Sequence, residues 1–268
     1  MRLYGSISDV GTDVGGSIGG LITHHIDHAF RRILPESEVV REDGFLRMVT
    51  GEAHPFGNFA CITRPADVPT VRAAIAPLEA CGAPAAAFLT GPASDGAERE
   101  LGSRGFVRHG GMPAMGVEIE RLADTPLASG CRFDRITRAS DGAAWAEVFA
   151  RGYGIPHRLG EVFAHAITDD DAPDSTLQYF WATRDGVPVA TSVLFLHQGL
   201  AGIYAVATVS EERGRGLGAY VTAEPLRRAH SLGYRVGILQ SSEEGHPVYR
   251  RIGFREFGEM PLYVRMPA

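Results

Sequence analysis

The sequence Arg213-Gly214-Arg215-Gly216-Leu217-Gly218 sets the architecture that we expect of the chain. It follows an apolar run, Gly202-Ile203-Tyr204-Ala205-Val206-Ala207-Thr208-Val209, which predicts a buried strand. A helical pattern from Ala219 to Ala229 comes next and is closed by Gly233. Glycines let successive backbone N–H groups face one concavity, and a helix N-terminus adds partial positive charge. A strand, a glycine-rich turn and a helix in this order therefore predict a phosphate-binding site.

Two better-known phosphate loops do not fit this spacing. A P-loop requires a Lys-Ser/Thr pair after the glycines, and none follows here. The dinucleotide-binding fingerprint ends on a further glycine, which this turn lacks. Arg213 and Arg215 place guanidinium groups beside the same concavity, and guanidinium groups bind phosphate well.

The loop resembles the acyl-CoA loop of the GNAT superfamily of N-acyltransferases, Arg/Gln-x-x-Gly-x-Gly/Ala, through Arg213, Gly216 and Gly218. A second block, Pro247 to Phe254, resembles the Tyr-x-x-x-Gly-Phe segment of that family. A predicted helix and a predicted strand, residues 234–239, separate the two blocks in the order expected of the family. A glycine-rich surface loop is the alternative, and the second block argues against it.

The resemblance implies that an amine attacks the thioester of acyl-CoA directly, with no covalent enzyme intermediate. Main-chain groups of the strand before the loop would bind the pantetheine arm and polarise the thioester carbonyl, and the loop amides would hold the pyrophosphate. Tyr249 would protonate the departing thiolate, unless it only fills a gap between helix and sheet. Ser242 occupies the usual asparagine position of the family. The implied cofactor-binding residues are Val206, Ala207, Thr208, Arg213, Gly214, Arg215, Gly216, Leu217, Gly218, Ala219 and Ser242.

The sequence assigns no general base. Many family members carry a carboxylate on the strand before the loop, but residues 200–209 contain none, and Tyr204 and Thr208 are its only polar side chains. His246 titrates nearest neutrality among the residues just before Tyr249, although Pro247 beside it indicates a turn. A chain of water molecules to bulk solvent is the alternative.

The chain also repeats itself at an offset of 148 residues. Gly105-Phe106, Gly110 and Met112-Pro113 recur as Gly253-Phe254, Gly258 and Met260-Pro261, and Pro77-Leu78 recurs as Pro225-Leu226. Seven identities in one register predict two copies of one fold. We expect an α/β protein (α+β, mixed sheets) of two GNAT-like domains, residues 1–125 and 126–268, each a mixed β-sheet flanked by helices. Pro225 would then be a structural kink in its helix.

The first copy lacks the cofactor loop. Residues 213–218 fall on Pro65-Ala66-Asp67-Val68-Pro69-Thr70, which has no glycine, two residues without an amide hydrogen and one carboxylate. Tyr249 falls on Leu101, which has no proton to give. The N-terminal half is therefore predicted to be a degenerate copy. It is either a purely structural partner or a wall of the acceptor pocket.

Composition excludes several classes of function. The net charge of −6 argues against a broad basic face for nucleic acid, including charged tRNA. No apolar run reaches membrane-spanning length, and no signal peptide is visible. Three scattered cysteines, Cys61, Cys81 and Cys131, are typical of a cytoplasmic protein, which is the location that we predict.

Histidines and aromatic residues offer two further candidate sites. Residues 17–33 predict an amphipathic helix on which His24 and His28 share a face, but no other ligand with suitable spacing is nearby, so we expect no metal site. A further set of aromatic residues either lines a pocket for the acceptor or packs in the core: Phe149, Tyr153, Trp181 and Tyr204.

The sequence thus predicts an N-acetyltransferase that moves an acetyl or other short acyl group from acetyl-CoA or another acyl-CoA to a small-molecule amine. The alternative is a non-catalytic acyl-CoA sensor or scaffold. Neither nucleic acid nor membrane is an expected partner, and self-association into a homodimer stays open.

Overall fold

The computed structural model describes residues 3–13, 18–63, 67–91 and 94–267. Ser17, Pro65 and Ala66, which entered the predictions above, lie outside these ranges. The helices are α1 (Ile7–Asp13), α2 (Ile18–Ile33), α3 (Val68–Ala80), α4 (Asp95–Ser103), α5 (Gly142–Tyr153), α6 (His157–Ala164), α7 (Leu217–Ser231) and α8 (His246–Arg251). The strands are β1 (Val39–Glu42), β2 (Phe45–Val49), β3 (Asn58–Ile62), β4 (Ala85–Leu89), β5 (Val107–Glu118), β6 (Cys131–Ile136), β7 (Leu177–Arg184), β8 (Val187–His197), β9 (Leu200–Thr208), β10 (Val236–Gln240) and β11 (Arg255–Arg265).

All eleven of these strands form one sheet, in the order β1-β2-β3-β4-β11-β5-β10-β9-β8-β7-β6. The pairs β3–β4 and β9–β10 are parallel, and the other pairs are antiparallel. The predicted fold class, a mixed sheet flanked by helices, is confirmed. The strands of the two halves are, however, joined in one continuous sheet.

The last strands of the two copies are exchanged. β11 belongs to the second copy by sequence but pairs with β4 of the first, where Leu262 lies opposite Phe88. β5 belongs to the first copy but pairs with β10 of the second, where Met115 lies opposite Leu239. β5 and β11 also pair with each other at the centre of the sheet. The predicted boundary between two domains after residue 125 stays a prediction. It divides the two copies along the sequence, but it does not divide the sheet, which both copies share.

The repeat is visible in the order of elements. At an offset of 148 residues α3 corresponds to α7, α4 to α8 and β5 to β11. The equivalent prolines, Pro77 and Pro225, both lie inside their helices, and both helices continue beyond them. Two copies of one fold account for this correspondence.

Helices cover both faces of the sheet. Neighbouring residues of one strand face opposite sides, so Phe88 and Tyr204 join the core beneath α2, α5 and α6, whereas Leu89 and Ile203 face the other side. On that other side α3 and α4 pack on the first copy, and α7 and α8 pack on the second. No helix in the described ranges is long and apolar enough to cross a membrane.

Helix α2 connects the two halves. It buries Ile22, Ile26 and Ile33 at helical spacing, which gives it one apolar face. At its start a Cβ on Gly19 would lie 2.3 Å from the carbonyl oxygen of Phe257, so only glycine allows α2 to approach β11 this closely. One turn on, Gln240 Nε2 of β10 donates to the Ile22 carbonyl at 2.5 Å. This N-terminal helix therefore lies across strands of the C-terminal half.

Candidate active site

Strands β9 and β10 separate along their length. They pair over Leu200–Gly202 and Val236–Ile238. Beyond Gly202, β9 is paired with β8 alone among the described strands, while β10 continues beside β5. Ala205, in the diverging part of β9, has a φ of 49°, and the register with β8 shifts between Thr191 and Val193. The main chain of residues 204–208 therefore has a face without a partner strand.

Three residues predicted to bind the cofactor, Val206, Ala207 and Thr208, lie in this open part of β9. The end of α5 packs against it, since a Cβ on Gly152 would lie 2.7 Å from Ala207 Cβ and 3.1 Å from the Thr208 nitrogen. An extended ligand that bonds to unpaired main-chain groups there would thus lie beside a strand that is packed against α5. The pantetheine contacts themselves stay a prediction.

The glycine-rich loop joins β9 to α7. Gly214 and Gly216 have φ values of 76° and 80°, which L-residues with a side chain rarely adopt. No described atom lies within 4 Å of the place where either Cβ would stand, so the loop borders open space. Tyr220 N–H makes the first full helical hydrogen bond, to the Gly216 carbonyl at 3.0 Å. The amides of residues 216–219 precede it at the N-terminus of α7, and pyrophosphate binding there stays a prediction.

Arg213 holds the loop in place. Its Nη2 donates to the Gly152 carbonyl at 2.8 Å, and its Nε donates to the Thr208 carbonyl at 3.3 Å. The guanidinium group thereby ties together the end of β9, the end of α5 and the loop. Glu244 lies 3.7 Å from its Nη1. A direct contact between Arg213 and phosphate stays a prediction.

The other predicted loop residues divide into anchors and exposed groups. Leu217 is buried in an apolar cluster with Val209 and Val221, and so anchors the first turn of α7. Arg215 is half-exposed, and its Nε lies 3.4 Å from Glu212 Oε2. Gly218 and Ala219 lie in the first helical turn and are partly exposed.

Tyr249 lies on α8 and packs beside Phe254 in the core under α7. Burial raises the pKa of its phenol above the ordinary value, nearby Tyr153 adds to the increase, and a hydrogen bond with Thr222 opposes it. The phenol therefore keeps its proton at neutral and mildly alkaline pH, as a general acid must. Thr222 Oγ1 in turn donates to the Gly218 carbonyl at 2.8 Å, which connects the phenol to the first turn of α7.

Ser242 and His246, which precede Tyr249 in the chain, already make contacts within the protein. Ser242 Oγ accepts from the Gly245 N–H at 3.1 Å and so closes the turn that precedes α8. His246 Nε2 lies 2.7 Å from Glu256 Oε1. The predicted contact between Ser242 and CoA stays a prediction.

The corresponding helix start in the first copy is capped by a carboxylate, which repels a phosphate group. Asp67 caps α3, and its Oδ1 accepts from the Thr70 N–H at 2.8 Å. Leu101, the counterpart of Tyr249, is fully buried in an apolar core. In the described ranges, no group of three or more His, Cys, Asp or Glu side chains has an arrangement suited to a metal ion.

Two polar contacts near this site escaped sequence analysis. Thr222 lies four residues after Gly218 and is a buried polar residue on a packed helix face, which is the signal that points to it. His25 lies three residues after Ile22, on the buried face of α2, and its Nδ1 is 2.7 Å from the Tyr204 hydroxyl. The i, i+4 spacing on α2 relates His24 to His28 and gives no sign of the contact between His25 and Tyr204.

Residues 143–254 match the family described as Acetyltransferase (GNAT) family. The C-terminal part of the chain is therefore similar to GNAT acetyltransferases. The match includes the open part of β9, the glycine-rich loop, Thr222 and Tyr249. No curated protein sequence matches the chain.

Solved structures extend the likeness in fold beyond residues 143–254. A GCN5-related N-acetyltransferase from Kribbella flavida has a TM-score of 0.64 at 20% identity, over 94% of this chain and 96% of that one. A GCN5-related N-acetyltransferase from Sphaerobacter thermophilus has a TM-score of 0.58 at 17% identity, over 90% and 84% of the two chains. A functionally unknown conserved protein from Staphylococcus epidermidis has a TM-score of 0.58 at 14% identity, over 89% and 98%. Both halves of the chain therefore share the fold of these structures.

Proposed function

We propose that the chain transfers an acetyl or other short acyl group from acyl-CoA to the amine of a small molecule. The observation that carries this proposal is the linkage of Tyr249 through Thr222 to the first turn of α7. It joins a protonated phenol to the helix whose N-terminus would hold the pyrophosphate. A module that only binds acyl-CoA has no need of a buried proton donor there.

Each residue would then have a stated task. The amides of residues 216–219 bind the pyrophosphate, and Arg213 fixes the loop that presents them. Main-chain groups of Val206 to Thr208 that are not bonded to β8 or to Arg213 align the pantetheine arm, and an N–H beside the bulge at Ala205 polarises the thioester carbonyl. Tyr249 gives its proton to the leaving sulfur.

The alternative is an acyl-CoA sensor without turnover, and the lack of a carboxylate on β9 favours it. Release of free CoA thiol from acetyl-CoA, measured with a panel of alkylamines, arylamines and amino acids, separates the two. The proposal expects amine-dependent release. Binding of acetyl-CoA without release for any amine would establish the sensor instead.

A binding titration tests the location of the cofactor. Calorimetry should give one acetyl-CoA site per chain, because Asp67 already occupies the corresponding helix start in the first copy. Gly216→Val should weaken binding at least about tenfold, since a β-branched residue is strained at this φ and its side chain would point into the open space of the loop.

Gly82→Val is the matched control for that titration. Gly82 also has a positive φ, 68°, and open space at its Cβ, but it follows α3 in the first copy. It should leave affinity unchanged. Two equivalent sites per chain, or unchanged affinity in Gly216→Val, would contradict the assignment of the loop.

A further inference from the structure

A line of imidazoles lies under β9, on the side opposite to α7. Its members are His24, His25 and His28 of α2 and His197 of β8, and it begins at the Tyr204 hydroxyl. Tyr204 directly precedes Ala205, in the part of β9 that has parted from β10. Three of the four histidines come from the copy that lacks a cofactor loop.

The inner end of this line is fixed by packing. His25 Nδ1 is 2.7 Å from Tyr204 Oη, and the two side chains are 3% and 9% exposed. A Cβ on Gly202 would lie 2.7 Å from His25 Cε1 and 2.7 Å from Tyr204 Cε2. Only glycine at position 202 therefore leaves room for this pair of rings.

From His25 the line runs outward to solvent. Ring centroids are 5.8 Å apart between His25 and His197, 4.3 Å between His197 and His28, and 4.9 Å between His28 and His24. His28 and His197 are half-buried, and His24 is exposed. At these separations one bridging water at most is needed between neighbouring rings.

Two nitrogens of the line need a partner. His25 Nε2 and His197 Nε2 are buried and make no hydrogen bond within the described part of the chain. Buried polar atoms are normally paired with protein or with ordered water. Water bridges along the line would satisfy both atoms and would connect them.

Three of the imidazoles, those of His25, His28 and His197, are neutral at physiological pH. Burial, together with the nearby His197 and His28, lowers the pKa of His25 to about 3, and burial also lowers the pKa of His28 and of His197. The other titratable groups packed here are Asp27 and Arg31, which pair at 2.7 Å, and Cys61, whose pKa is raised by burial. A neutral imidazole has one nitrogen that accepts a proton and one that gives a proton.

We propose that this line is a proton relay that deprotonates an alkylammonium acceptor and delivers the proton to solvent. The inference rests on the proposed function and adds the class of acceptor, an aliphatic amine that arrives charged. Tyr204 would contact the acceptor, and the histidines would act through Tyr204. The first copy would thus supply the base that β9 lacks.

The proton balance is complete. The ammonium nitrogen gives a proton to Tyr204 Oη while the Tyr204 proton passes to His25 Nδ1. His25 then releases its Nε2 proton towards His197, and the proton reaches bulk water through His28 and His24. Proton exchange through the same groups and solvent returns each imidazole to its starting tautomer before the next turnover. The amine lone pair forms the C–N bond, the C–S bond breaks, and the sulfur takes the Tyr249 proton. The remaining excess proton on nitrogen restores Tyr249, so one ammonium and one thioester give one amide, one thiol and one proton in solvent.

The test compares two classes of amine in the full chain. With an alkylamine at pH 7, kcat in His25→Gln should fall about a hundredfold, because the relay is broken. With an arylamine, which is already uncharged at pH 7, kcat should stay close to that of the native chain. Acetyl-CoA affinity should be unchanged. The alkylamine kcat/KM of the variant should rise about tenfold per pH unit towards the amine pKa near 10, since only free base reacts.

Two further variants distinguish loss of the relay from a general loss of folding. His28→Gln alters a half-buried ring further out along the line and should show the same selectivity for amine class. His109→Gln alters an exposed histidine in the first part of β5 and should change neither rate. Equal losses with both classes of amine would overturn the relay and leave His25 a structural residue. Native chain that acetylates neither class would overturn the proposed function itself, and the relay with it.

Discussion

Tyr249→Phe is expected to lower turnover about a hundredfold while acetyl-CoA affinity stays nearly intact. The substitution keeps the ring that packs beside Phe254 and removes only the hydroxyl that donates the proton. Without that proton the sulfur must leave as a thiolate or take a proton from water. Steady-state kinetics give the loss in kcat, and calorimetry with acetyl-CoA gives the affinity.

Tyr263→Phe is the matched control, because Tyr263 is a buried phenol on β11 in the core of the other half. Its kcat should equal that of the native chain. Unchanged turnover in Tyr249→Phe would make Tyr249 a packing residue and would leave water or the acceptor as the proton source.

Deleting residues 255–268 is expected to abolish cooperative unfolding. The deletion removes β11, which is paired on both sides, so β4 and β5 each lose a partner strand and the apolar contacts of Met260 and Tyr263 are lost. Thermal unfolding followed by circular dichroism should show a broad change without a sharp midpoint.

Removal of residues 266–268 alone provides the comparison. Met266 is 65% exposed and lies beyond β11, so the transition should keep its midpoint. A sharp transition at the native temperature in the chain that lacks β11 would contradict the place given to this strand.

Local patterns in the sequence were sufficient to predict the glycine-rich loop and the helix that follows it. The apolar run before Arg213 became β9, and the helical pattern became α7, which begins two residues before the predicted start at Ala219. The glycines at 214 and 216 helped to predict the loop, because both positions adopt a positive φ and glycine is the residue type that adopts it readily.

The strand exchange was beyond prediction for a physical reason. β5 and β11 are copies of each other, so either one presents a suitable edge to β4 or to β10. The His25–Tyr204 contact joins residues 179 positions apart. Helical spacing places His25 on the buried face of α2, but it does not say which strand that face meets.

The exchanged strand also determines the order in which the protein can be completed on the ribosome. β11 is the last of the described strands to be synthesised, yet residues 262–265 pair with residues 85–88, in the first third of the chain. Until they emerge, the nascent sheet has open edges at β4 and β5, which are sites for aggregation and for chaperone binding. Closing it requires contacts that are very distant in sequence, and such contacts make folding slow. We therefore expect the centre of the sheet to be the last part of this protein to form.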